Sequence, residues 1–485
     1  MEEASVNTNS ICTLEPRAVW EIFAEICAIP HPSGHEKALA DAIAAMAEQH
    51  GLKARRDAYG NLRIDRAASP GFETRSTVIL QGHLDMVPQA EAGSLFDFEK
   101  DPIPAVADGG FVRSAAGTTL GGDNGIGVAA ALALLFDESF HSGPLAAVFT
   151  LSEEIGLNGA TALDPAFLAG KYLLNLDSED EGELFIGCAG GARLEASFAP
   201  EYETPSPSFA GALLEVKGLA GGHSGCNIAD RRGNAVQFLG AALLGARALR
   251  AASAEGGSLD NAIPREAKAT VALNPERRKE TLEILASLER QLREKFSLPA
   301  GFAITLTEAP LPERVWTEQT HERAVFALAG CPDGVLEMDE NFGIPRTSTN
   351  LAAVFERGGR LVFRTSQRSL SDGERRAATE RVAAHFEKAG AVSEVTNEYP
   401  GWLPAPESRL LETATMLYRE LFGRAVLVKV IPAGLECGIF AGKRPGLDMI
   451  SFGPTILDPH SPSERADIAS VERFYSYLGA LVSAL

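Results

Sequence analysis

Two histidines and five acidic residues stand at or just past the ends of apolar runs in this 485-residue chain: His83 and Asp85, Asp123, Glu153 and Glu154, Asp177, and His460. Zinc accepts imidazole nitrogen and carboxylate oxygen, and paired hydrolytic metals sit roughly 3.5–4 Å apart with a ligand between them. The set fits such a two-metal hydrolytic site, with His83 and Asp177 on one ion, Glu154 and His460 on the other, and Asp123 bridging. Glu153 is then free to act as a base. Three carboxylates against two dications leave one positive charge, which a bridging hydroxide neutralises.

Each piece has its own local logic and its own plainer reading. The run Thr77 to Gly82 reads as a buried strand entering His83-Leu84-Asp85. Residues two apart on an extended segment point the same way, so Asp85 can stand behind His83 and hold its far ring N–H. An isolated His-x-Asp, however, is more often a polar pair at a strand end. Asp123 lies in Gly121-Gly122-Asp123-Asn124-Gly125-Ile126-Gly127, before the apolar helix candidate Val128 to Phe136. Glycines there permit a tight turn, and neither a phosphate loop nor a dinucleotide fingerprint follows. Taken alone, Asp123 reads equally well as a helix N-cap.

Glu153-Glu154 follows the run Ala146 to Leu151 directly. Adjacent carboxylates repel, an arrangement that makes sense when one binds a cation and the other moves a proton. Alone, the pair reads as a solvated loop. Asp177 ends the run Tyr172 to Leu176, and Ser178 to Glu181 beyond it reads as solvated negative surface. His460 sits between Pro459 and Pro462, which restrict its backbone.

The elements that must position these residues alternate. A helical stretch from Pro16 to Gly51 breaks at Pro30-His31-Pro32-Ser33-Gly34. Ser33 and Glu36 have the spacing of a capping box, which gives His31 and His35 a structural explanation. Apolar strand-like runs then alternate with helical ones, implying α/β architecture with a mostly parallel sheet. Period-two segments and the helix candidate Glu276 to Phe296 follow Cys188, and a second strand-and-helix block near 352–389 repeats them loosely. The chain accordingly divides into a first catalytic part over 1–187, an inserted two-lobed α+β lid over 188–399, and a second catalytic part over 400–485. Ligands of open parallel sheets bind beyond the carboxyl ends of strands, so the scattered sites can converge in one crevice.

A net charge of −21 argues against nucleic acid and anionic membranes as partners. No apolar run reaches membrane-span length. The six cysteines are widely spaced with no Cys-x-x-Cys pair, which suggests neither a disulfide framework nor a thiolate zinc site. The acidic start Met1 to Ser5 lacks the features of a secretory signal, so cytoplasmic residence is the default.

From about Pro30 onward the chain resembles the dinuclear-zinc metallopeptidases that include carboxypeptidase G-like enzymes, acetylornithine deacetylases and dipeptidases, and within them the aminoacyl-histidine (Xaa-His) dipeptidase branch. The matching segments include Gly82-His83-Leu84-Asp85-Met86-Val87-Pro88-Gln89, Asn175-Leu176-Asp177-Ser178-Glu179-Asp180, Gly221-Gly222-His223-Ser224-Gly225, Asn261-Ala262-Ile263-Pro264 and Gly434-Leu435-Glu436-Cys437-Gly438. Gly122, where alanine is common, and Arg364-Thr365-Ser366, where Arg-Ser-Ser is common, depart from the pattern. The resemblance implies hydrolysis of dipeptides of the Xaa-His or broader cytosolic kind, by a metal-bridging water with Glu153 as base. It agrees with the ligand set above, with Asp85 as orienting residue, and adds His223 as oxyanion stabiliser and Arg364 and Asn261 as substrate-binding residues. It also implies two divalent ions, zinc foremost with manganese or cobalt as alternatives, and a homodimer. N-acyl amino acid amidohydrolysis, or non-catalytic metal-dependent peptide binding, are the competing functions.

Overall fold

A computed structural model describes residues 8–405 and 407–485. The acidic start Met1 to Ser5 lies outside the described residues. Two compact units divide the chain, one drawn from Met1–Gly187, Pro404–Val430 and Glu436–Leu485, the other from Cys188–Leu403 and Ile431–Leu435. The insert thus runs a few residues past 399, and the chain returns to it once more at 431–435.

An eight-stranded sheet organises the first unit. Its centre is the parallel set Leu145–Thr150, Val78–His83, Tyr172–Asn175 and Asp448–Ser451, while the strands Lys53–Arg56 and Leu62–Arg66 continue one edge in antiparallel sense. Every residue of the first three central strands is buried, as expected for strands covered on both faces. The helix Gly122–Phe136 is buried along nearly its whole length. A separate four-stranded sheet pairs the hairpin Ile456–Leu457 and Arg465–Asp467 with Phe111–Ser114 and Ala105–Asp108. That hairpin carries His460 at its tip.

The second unit is built on one antiparallel sheet running from Ala303–Glu308 through Ala210–Lys217, Ala267–Leu273, Ile344–Arg357 and Arg360–Ser369 to Gly190–Phe198 and Val392–Tyr399. The short strand Glu255–Gly256 joins its halves. One apolar core spans both halves, from Leu214 and Phe238 to Phe363 and Phe386. Side-chain caps at Asn234, Thr317 and Ser371 start the helices Ala235–Gly245, Glu318–Ala329 and Asp372–Lys388.

The capping-box expectation at Ser33 and Glu36 does not hold. The helix Lys37–Gln49 has no side-chain cap. Buried Glu36 instead accepts from the backbone of Gly34 and Ser152, and the Ser33 hydroxyl donates to Asp85. Tertiary partners outbid the local motif because a buried carboxylate must be satisfied wherever donors exist. Among the described residues no helix is long and apolar enough to cross a membrane.

Candidate metal centre

The parallel strands deliver their functional residues at their carboxyl ends. His83 is the last residue of its strand, Glu153 and Glu154 come three and four residues after Thr150, and Asp177 comes two after Asn175. His83 Nδ1 donates to the backbone carbonyl of Asp85 at 3.0 Å, since a carbonyl can only accept. Its Nε2 therefore faces inward, 3.2 Å from both Asp123 Oδ1 and Asp177 Oδ1, and before any ion binds, against the effect of burial, these carboxylates raise its pKa well above the ordinary value. Across the site His460 Nε2 lies 3.2 Å from Asp123 Oδ2 and 2.8 Å from Glu154 Oε1. The two oxygens of Asp123 thus face two different histidine–carboxylate pairs.

Local backbone geometry aims these groups. Gly121 takes φ 72° at the start of the helix Gly122–Phe136, and Asp123 keeps a non-helical φ of −85° and ψ of 108°. A left-handed Ser152, φ 54°, precedes Glu153, and His460 itself has φ 58°. Non-glycine residues in this region carry strain that surrounding contacts must hold. Buried Glu36 does so at Ser152, accepting both its N–H at 3.0 Å and its hydroxyl at 3.1 Å.

Asp85 stands behind His83 and also takes a part that its spacing does not suggest. Its carboxylate stands 3.5 Å from His83 Nδ1. Its closer partners are the N–H of Glu153 at 2.9 Å, the N–H of Glu154 at 3.1 Å and the Ser33 hydroxyl at 2.8 Å. Asp85 therefore anchors the turn that presents both glutamates.

The electrostatics are those of crowded carboxylates out of water. Burial, with the neighbouring Asp177 and Glu154 adding to it, pushes Glu153 well above the usual carboxylate range. Burial, then Asp123 and Glu436, outweighs His83 and carries Asp177 up to about 8. Burial also opposes ionisation of Asp123, but the bonds from His460 and His83 hold it well below its ordinary value. His460 rises to about 11 beside the carboxylates of Asp123 and then Glu154. Clusters of like charge at such density are what divalent cations relieve. The donor set fits a metal site, because its atoms are nitrogen and carboxylate oxygen gathered within 4.8 Å in the groups His83–Asp123–Asp177 and Asp123–Glu179–His460. Buried Glu154 Oε1 has no aligned hydrogen-bond donor although His460 Nε2 stands 2.8 Å away. Ligands converging on a common centre approach one another in this way.

Four further carboxylates belong to the surroundings of the site. Glu179, expected on solvated surface, is largely buried, and burial and then Asp123 push it up to about 9. Glu181 is also withdrawn from solvent, held by Arg424, Arg473 and the Tyr418 hydroxyl. Glu436, fully buried, accepts from Gln81 Nε2 at 2.5 Å and the Thr150 hydroxyl at 2.8 Å beneath the strand ends. Glu464 accepts from the backbone of the Asp123 turn. Glu464 and Glu436 stand inside segments that also carry site or family motifs, the one signal that could have singled them out.

The second unit gathers its own candidates. His223 pairs with Ala262 on the short ladder Gly222–His223 to Ala262–Ile263, which places Asn261 beside it, and the Asn261 carbonyl accepts from Ser224 N–H at 2.7 Å. His223 Nδ1 accepts from the N–H of Gly225 at 3.3 Å and Cys226 at 3.2 Å. An accepting Nδ1 makes this the neutral tautomer with its proton on Nε2. Burial, then the Arg368 charge, lowers its pKa to about 4. The Arg364 fork is already engaged, with Nε and Nη2 on Glu195 at 2.9 and 2.7 Å and Nη1 on the Ser258 carbonyl at 3.0 Å. Arg368, four residues along the same strand and hence on the same face, donates to the Tyr399 hydroxyl at 3.0 Å and reaches Ser224 beside His223. Sequence reasoning passed over Arg368 because only its three-dimensional neighbours distinguish the two arginines.

An α/β layer presenting a shared aspartate between two histidine–carboxylate pairs defines a class of metal-dependent hydrolases. The family model described as peptidase family M20/M25/M40 matches residues 79–484, and the chain belongs to that family. It is 38% identical over 489 residues to the cytosol non-specific dipeptidase of Escherichia coli (strain K12), covering 98% of this chain and 99% of the relative. Among solved structures it resembles the aminoacylhistidine dipeptidase from Vibrio alginolyticus, with a TM-score of 0.89, 39% identity and 98% of each chain covered. The aminopeptidase PepT from Bacillus cereus shares the fold at 17% identity and a TM-score of 0.60, covering 97% of this chain and 98% of that one. The fold is accordingly that of M20 peptidases, with a catalytic and a lid domain.

Proposed function

We propose that this protein is a cytoplasmic dipeptidase that hydrolyses the peptide bond of Xaa-His and related dipeptides, with two divalent cations, zinc foremost, held by His83, Asp123, Glu154, Asp177 and His460. The observation that carries this reading is the division of Asp123 between two histidine–carboxylate pairs, at 3.2 Å on each side. Two cations bound there would acidify a shared water and polarise the scissile carbonyl.

The residues of the chain supply the rest. Glu153, whose proton affinity burial raises, takes the proton of the attacking water and returns it to the leaving amine. Asp85 orients it through its backbone N–H. Neutral His223 offers Nε2–H to the developing oxyanion, and its depressed pKa keeps that form dominant at neutral pH. With the Arg364 fork taken by Glu195, Arg368 is the better candidate for the free carboxylate of the substrate, and Asn261 lies beside His223 as a further contact. The resemblance supports a homodimer, which sedimentation of the purified protein checks.

Metal analysis coupled to a dipeptide panel with product identification tests the proposal. Two ions per chain and release of free histidine from Xaa-His substrates are expected. Acetate release from N-acetyl amino acids with no dipeptide cleavage would assign the site to amidohydrolysis instead. Metal uptake with no hydrolysis of either kind would leave only a binding protein.

A further inference from the structure

Glu464 is 3% exposed, and its carboxylate accepts from four consecutive backbone groups. Oε2 takes the N–H of Leu120 at 2.8 Å and Gly121 at 3.2 Å, and Oε1 takes Gly122 at 2.8 Å and Asp123 at 3.3 Å. A carboxylate has about four lone-pair positions, so this one is saturated by a single turn. The turn is the one that ends on Asp123. Glu464 also closes the loop that carries His460, its own N–H bonded to the Ser461 carbonyl at 3.0 Å, with Asp458 and His460 held at positive φ and Arg465 bridged to Asp458 at 2.6 Å.

Two chain segments 341 residues apart in sequence, counted from Asp123 to Glu464, are thus tied by this side chain, beside the approach of His460 to Asp123 itself. Each contributes a group to the candidate metal centre, and among the described residues no strand pairing joins the Asp123 turn to the His460 loop. His83 and Asp177, by contrast, are placed by strands paired to each other through four residues. The close fit also has a steric side: a Cβ on Gly122 would stand 3.2 Å from Glu464 Oε1. Glycine at this position leaves the carboxylate room to approach the backbone.

We infer that Glu464 is a positioning residue of the metal centre, pinning the Asp123 turn to the His460 loop and so setting the spacing of the carboxylate both ions share. The inference rests on the two-ion reading proposed above. Replacing Glu464 by glutamine turns half of the acceptor surface into an N–H donor facing N–H donors. The His460-side ion then suffers most, because both His460 and Asp123 depend on the clamp. The other ion retains His83 and Asp177.

The test is zinc binding to chelator-stripped protein by calorimetry, with cobalt absorption to follow each ion. The parent should take up two ions, and folded Glu464→Gln should bind one with near-parent affinity and the other about 10- to 100-fold more weakly. A merely structural role would lower thermal stability and leave the affinities alone, so parent-like affinities for both ions overturn the inference. Should Glu464→Gln not be recovered folded, Glu464→Asp decides, since it keeps the charge while drawing the carboxylate one methylene away from the Leu120–Asp123 N–H groups. Weakening of one ion supports the clamp, and unchanged binding of both overturns it. A parent that binds no zinc overturns the two-ion reading and this inference together, an outcome distinct from a failure of the variants alone.

Discussion

Asp85 holds Glu153 by its backbone: Oδ1 accepts the Glu153 N–H at 2.9 Å while Oδ2 takes the N–H of Glu154 at 3.1 Å. One buried carboxylate therefore sets the position of a base and of its neighbouring ligand at once. Asp85→Asn keeps the shape but offers one accepting oxygen for two N–H groups. We expect kcat to fall about 10- to 100-fold with KM little changed, as for other residues that orient metal-site groups. Steady-state kinetics with metal analysis checks this, and an unchanged kcat would remove Asp85 from the orienting role.

Glu153 lies among the donors of the site yet outside the two pairs that share Asp123. Glu153→Gln should keep both ions and lose about 10²- to 10⁴-fold in kcat, the range general-base removal covers. Metal content and turnover measured on the same sample separate the two roles. Loss of metal in proportion to activity would make Glu153 a ligand instead.

Much of this site was legible because each donor ends an apolar run, and buried parallel strands bring such ends together: His83, Glu153, Glu154 and Asp177 needed little more than that rule. His460 was legible by its flanking prolines, but its support on a small separate sheet was not, since Ile456–Leu457 is too short to carry a pattern. Ser33 and Glu36 misled because a local motif competes with tertiary partners, and the strand-end turns of Asp85 and Ser152 won. Glu179 and Glu181 misled for a related reason: acidic residues in a row look solvated unless the arginines and histidines that meet them are known. Arg364 and Arg368 are equivalent on paper, and the distinction lies in Glu195 on a neighbouring strand.

Gly82, on the strand carrying His83, faces the side chain of Asn124, and a Cβ there would stand 2.1 Å from Asn124 Oδ1. Asn124 cannot easily retreat, because its Nδ2 donates to the Leu176 carbonyl at 2.6 Å, next to Asp177. Gly82→Ala should destabilise the protein by about 1–3 kcal/mol through overpacking. Denaturant titration gives the value, and metal affinity should drop in parallel. A stable variant with normal metal binding would show that Asn124 has room the geometry denies it.

Removal of the ions should be felt in stability as well as activity. Asp123, Glu153, Glu154 and Asp177 would face one another without the cations that relieve their crowding, and ligand binding to the native state stabilises by about 2.7 kcal/mol at a hundredfold excess over Kd. Dialysis against chelator should lower Tm by roughly 5 °C or more, with recovery on adding zinc. A Tm indifferent to chelator would argue that no ion is bound there.

His223 supplies the pH prediction. Burial, followed by the Arg368 charge, lowers its folded pKa from 6.5 to about 4. Between those values the unfolded chain binds more protons at this residue than the folded one, so its contribution makes stability rise with pH through the window and fall as pH drops from 6.5 toward 4. The same shift keeps the ring neutral, with Nε2–H available, throughout the neutral range. Carbon-edited NMR of the ring should report a midpoint near 4, and His223→Gln should flatten the acid side of the stability profile. A ring titrating at or above its ordinary value would be charged under mildly acidic conditions, and the oxyanion donor would then be an imidazolium rather than the neutral imidazole assigned to it.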